Sequence, residues 1–147
     1  MGVPLRLNQV RRRALLGEVE ILAQALKALQ DYADDVFIVV EAISERDRDG
    51  TPPEQAITEI AHEGVQRLRF LATSLTLNAT TARLCITEHL CLNPRLYDDV
   101  FCHDLEHRLR AVFSAISLEQ RNLWGLQRRF EEVLRIKDGF FAGELGQ

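Results

Sequence analysis

Apolar residues at Leu15, Val19, Leu22, Leu26, Leu29, Ala33, Val36, Val40 and Ile43 follow one another in steps of four and three. That spacing holds one stripe of side chains against a neighbouring helix and predicts a single helix over about 8–46. Asp47-Arg48-Asp49-Gly50 supplies a stop, because glycine enters the left-handed conformation that closes a helix. Thr51-Pro52-Pro53-Glu54 follows with a capping hydroxyl, proline for the first turn and a glutamate three residues on, the chemistry of a helix start. A second helix is expected over about 52–77, with Ile57, Ala61, Gly64, Leu68, Leu71 and Leu75 inward and Gly64 admitting a close neighbouring backbone. Asn78-Ala79-Thr80 reads as a break, 80–91 as a short helix, and Asn93-Pro94 as the cap of the next element. From there Cys102, Leu105, Leu109, Val112, Ile116, Glu119, Leu123, Leu126, Phe130 and Val133 keep the spacing, so 94–137 reads as a second long helix. Glu119 is its misfit, and Ser117-Leu118-Glu119-Gln120 resembles a capping box that would allow a break near 117.

These elements define an all-α chain, an elongated antiparallel helical bundle of two helices of about 40 residues plus one medium and one short helix. At 1.5 Å per residue the long helices would each reach about 60 Å. Leu16, Ala23, Phe37 and Val39 lie beside the first stripe and suggest burial in a homodimer. The 147 residues fit one helical domain, with a basic segment at 1–13 and a Gly/Phe tail at 138–147 whose Phe140 and Phe141 are expected to fold back. Trp124, flanked by Leu123 and Leu126, is expected to be a half-buried packing residue.

Charge changes the picture by its distribution rather than its sum of −4. Residues 1–13 carry four arginines and no acid, whereas 31–59 carry nine acids against Arg46 and Arg48. No basic face long enough to follow a phosphate backbone results, which argues against nucleic acid as a partner. Cys85, Cys91 and Cys102 are odd in number and unpatterned, and no apolar leader is evident, so reduced thiols and a cytoplasmic location are expected. No apolar run is long enough for a membrane span. Ser74, Ser114 and Ser117 have no nucleophile elbow around them, the cysteines form no Cys-x-x-Cys pair, and neither a cofactor nor a small-molecule substrate is indicated.

The histidines carry the remaining chemistry. His103 and His107 are four apart on one helical face, and Glu59-Ile60-Ala61-His62 has the Glu-x-x-His form of di-iron bundles. Counted from the stripe, however, Glu59, His62, His103 and His107 all point outward, so no buried metal centre is expected. An outward imidazole in mid-helix suits phosphotransfer, in which the neutral ring attacks an aspartyl phosphate. Cys102-His103-Asp104-Leu105, with Leu109, Ala111, Val112, Ser114, Ala115, Ile116 and Leu118 after it, resembles the phosphoacceptor helix of the bacterial histidine phosphotransferases. In a register shifted by four, Asp104-Leu105-Glu106-His107-Arg108-Leu109-Arg110 is similar to the box of HWE-type histidine kinases, with Ala111 where that box has asparagine. The resemblance implies a phosphoacceptor at His103 or His107, Asp104 as its acidic neighbour, and a response-regulator receiver domain as the protein partner. No Gly-rich nucleotide loop accompanies it, so the chain would carry phosphate rather than act as a kinase. The function expected is a cytoplasmic signalling module; the alternative is a non-catalytic helical adaptor or dimerisation protein in which these histidines are merely solvated.

Overall fold

The computed structural model describes the backbone of residues 2–48 and 55–145 and the side chains of 7–46 and 55–134. It contains three helices: α1 (Gly2–Arg48), α2 (Gln55–Leu92) and α3 (Asp99–Leu145). The chain is an all-α bundle with no strand among the described residues. The stop at Gly50 and the start at Thr51-Pro52-Pro53-Glu54 lie outside the described residues.

The first stripe is the core side of α1, since Val19, Leu22, Leu26, Leu29, Ala33, Val36, Val40 and Ile43 are all buried. On α3 the inward positions run from Leu105 to Val133 and include Glu119, 7% exposed between Ile116 and Leu123 on the stripe. No break occurs near 117, because Ile116, Glu119 and Leu123 keep facing inward along one uninterrupted helix.

Four expectations are corrected. The medium and short helices are one, because α2 continues through Asn78-Ala79-Thr80. Asparagine and threonine cost a helix only tenths of a kcal/mol, roughly, against alanine; here Ala79 is fully buried, and the Thr80 hydroxyl donates to the Thr76 carbonyl 2.9 Å away without breaking the ladder. The inward line of α2 runs through Val65 and Ala72 rather than Leu71, which is 39% exposed. The third helix starts at Asp99 instead of 94, since Asn93 closes α2: its backbone N–H and its Nδ2 both donate to the His89 carbonyl, at 3.1 and 2.9 Å. Asp98 is the cap of α3, accepting from the Phe101 amide at 2.7 Å. The segment expected as a folded-back tail is helix as far as Leu145, and the side chains of Phe140 and Phe141 lie outside the described residues.

The chain forms two compact units, Met1–Ala28 with Thr73–Leu118 and Leu29–Ala72 with Glu119–Gln147. Each draws a segment from all three helices. In the second unit, Gly64 accepts a buried side chain rather than a backbone: a Cβ there would stand 2.8 Å from Val36 Cγ2. The same unit is tied at its polar edge by Arg129, which donates to Glu41 Oε1 at 3.1 Å and to Ser44 Oγ at 2.8 Å. The bond to Glu41 chiefly, with its charge and that of Glu132, raises the affinity of Arg129 for its proton above the usual guanidinium range.

Candidate functional site

His103 and His107 stand on the exposed side of α3 in the first unit, one turn apart, as the inward stripe requires. Val100, three residues before His103, is 80% exposed and adds an apolar edge to the same side of the helix. The acids beside the histidines are turned to arginines instead. Arg108 Nε donates to Asp104 Oδ2 at 3.1 Å and Arg110 to Glu106 Oε1 at 2.8 Å, both one turn along α3. Asp104, expected as the neighbour that orients an imidazole, has its carboxylate in an exposed ion pair with Arg108. Cys102, the first residue of the resemblance, is half-buried. Burial, then the charges of Asp99 and Asp98, push its thiol above the ordinary range despite the opposing pull of Arg12. A neutral thiol is a poor nucleophile and a poor metal ligand, so neither its exposure nor its charge environment favours reactivity at Cys102.

His62 is also exposed, its ring 6.3 Å from that of Phe130 in the second unit. It lines an open groove of about 460 Å³ with Glu59, Glu63, Phe130 and Leu134. No cluster of three or more potential metal ligands occurs among the described residues.

The fourth histidine has the most polar contacts, at the corner between α2 and α3. His89 Nε2 lies 2.7 Å from the Tyr97 hydroxyl, and Asn93 Nδ2 lies 3.4 Å from Nδ1 of the same ring. Asn93 Nδ2 can only donate, so the tautomer with its proton on His89 Nε2 satisfies both contacts. Tyr97 is buried and stacks on Phe101, with ring centroids 5.3 Å apart. Arg12 covers the Phe101 ring at 5.2 Å and reaches Asp98 Oδ2 at 3.2 Å. Arg12, in the basic segment 1–13, is therefore half-buried and fastens α1 to the α3 cap. Sequence patterning could not find this corner, because Tyr97 and Asn93 sit in a turn without periodicity. The signal it did carry was the N-cap type of Asp98, masked by the more familiar Asn-Pro pair.

The outer side of α2 in the first unit has a different character. Between Thr73 and Thr87 the one charged residue is Arg83, whose guanidinium lies 5.1 Å from the Phe113 ring. Leu77 and Leu84, seven residues apart, are each 66% exposed among threonines. Asn78, Thr81 and Cys85 lie alongside, lining an open groove with Leu15, Glu18 and Ile86.

No protein-family model matches the chain, and neither a curated protein nor a solved structure does. No helix is long and apolar enough to cross a membrane among the described residues.

Proposed function

We propose that the protein is a non-catalytic helical adaptor, which works by presenting a helix face to a protein partner in the cytoplasm. The observation that carries this is the outer side of α2: in a chain with 27% charged residues, Thr73–Thr87 holds a single charge and exposes Leu77 and Leu84. Water-facing helices are normally charged there, and low charge with exposed leucine is the composition of the centre of an interface. In this reading the helices pack as an elongated antiparallel bundle whose interior serves rigidity alone. A photo-crosslinking amino acid at position 84 should yield a protein adduct in cells, whereas the same group at Glu106 on the charged side of α3 should not. Equal yields at both positions, or none at 84, would overturn the proposal.

A second reading, phosphotransfer or receiver docking through His103 or His107, is supported by the exposure of both imidazoles beside Val100. Incubation with phosphorylated receiver domains should then transfer an acid-labile label. His103→Gln should abolish acceptance and His107→Gln weaken it. Equal labelling of both variants and the parent would end this reading.

A further inference from the structure

We infer that the outer face of α2 in the first unit pairs with the same face of a second copy of this chain, the two α2 helices running parallel. The inference rests on the adaptor reading and names its partner.

The pattern on this face has the period of a two-stranded seam. Leu77, Leu84 and Cys91 recur every seven residues, and Thr80 and Thr87 fall three residues after the leucines. All five are exposed, while Leu75, Ala79 and Ile86, on the opposite side of the same helix, are buried in the unit's own core. The seam is therefore additional to the fold and not a part of it.

Charge selects the occupant and its direction. Arg83 and Glu88 occupy the two flanks of the seam, five residues apart, both exposed. That is the separation at which a side chain on one strand of a parallel pair meets the opposite flank of the other. A parallel second copy thus sets Arg83 against Glu88 of the other chain on both sides of the two-fold axis. To make that contact Arg83 exchanges its exposed position over Phe113 for a carboxylate. Leucine meets leucine at 77 and 84, threonine meets threonine at 80 and 87, and no charge is buried. The same geometry brings Cys91 against Cys91 of the other copy, both thiols being exposed in the single chain. In an antiparallel pair with leucine over threonine, the two Cys91 residues would instead stand about 27 Å apart along the helices.

The full chain is examined by sedimentation equilibrium, with circular dichroism as the check on folding. The parent should show a concentration-dependent dimer. Leu84→Lys should weaken it by more than about tenfold without changing helicity. Arg83→Glu and Glu88→Arg should each weaken it, and the two together in one chain should restore it. Oxidation with diamide, which takes two electrons and two protons from a pair of thiols, should link the parent into a dimer that Cys91→Ser abolishes and Cys85→Ser does not. A parent that stays monomeric at its highest soluble concentration, a dimer indifferent to Leu84→Lys, a double charge variant that fails to recover, or a link that survives Cys91→Ser would overturn the pairing. A crosslink from position 84 to a different protein would remove the second copy as partner and leave the adaptor reading standing. No crosslink at all would remove both.

Discussion

Replacing Gly64 with alanine sets two opposing effects against each other at a known distance. In a helix interior, glycine to alanine is worth about 1 kcal/mol of stabilisation, mostly through the entropy that the unfolded glycine gives up. Gly17 and Gly125 isolate that benefit, because a Cβ at either meets nothing within 4 Å. At Gly64 the new methyl would stand 2.8 Å from Cγ2 and 3.3 Å from Cγ1 of Val36, a residue 5% exposed. Valine on a helix has essentially one side-chain rotamer, so Val36 cannot swing aside, and α1 and α2 must separate locally. Overpacking of this kind costs about 1–3 kcal/mol. The expected balance is a net loss of about 0–2 kcal/mol at Gly64 and a gain of about 1 kcal/mol at Gly17 and at Gly125. For a chain of this size 1 kcal/mol moves Tm by about 2–4 °C, which thermal melts followed at 222 nm resolve easily. Adding Val36→Ala should remove the clash, so that the effect of Gly64→Ala in that background turns from loss to gain. If Gly64→Ala stabilises the parent as much as Gly17→Ala does, the close approach of Val36 does not exist.

Leu26→Ala and Leu109→Ala should each lose about 2–5 kcal/mol in urea titrations, both side chains being 6% exposed, whereas His103→Ala should change little; a large loss at His103 would refute its outward placement. Glu119→Leu, which exchanges a carboxylate 7% exposed on the α3 core stripe for an apolar side chain, should stabilise the fold by about 1–3 kcal/mol, and destabilisation in the same titration would show the carboxylate to be structurally required. Iodoacetamide should modify Cys85 and Cys91 before Cys102. The pH profile of Cys102 should lie above the usual thiol range, because burial and the Asp99 charge disfavour its thiolate. By linkage the same raised value subtracts stability only in alkali, as pH climbs past the unfolded thiol's own range toward the folded one, and not near neutrality.

The inward faces of α1 and α3 were legible because large apolar residues recur there at nearly every step, with Ala33 and Glu119 the exceptions. Ala72 on α2 was not, since alanine adds little to a hydrophobic pattern, and Leu71 beside it drew the stripe onto the wrong residue. The break at Asn78-Ala79-Thr80 came from weighing local propensity alone, whereas burial of Ala79 decides the matter. The outward positions of His62, His103 and His107 could be counted from the stripe. What Asp104 touches could not, because a helix offers it two directions and Arg108, four residues on, fills one of them. The corner at His89 needed the turn to be known first, as Tyr97 reaches His89 and Phe101 only through it.

Trp124 was expected to be half-buried and is instead 61% exposed, with the Arg128 guanidinium 4.3 Å above its ring. It is the single tryptophan of the chain. Its indole already faces solvent in the folded state, so its emission should lie near that of the unfolded chain and be open to acrylamide. Intrinsic fluorescence is consequently a weak reporter of unfolding for this protein. The same exposure makes it a sensitive reporter of anything that comes to rest on that stretch of α3, where a covered indole would shift to the blue and escape the quencher.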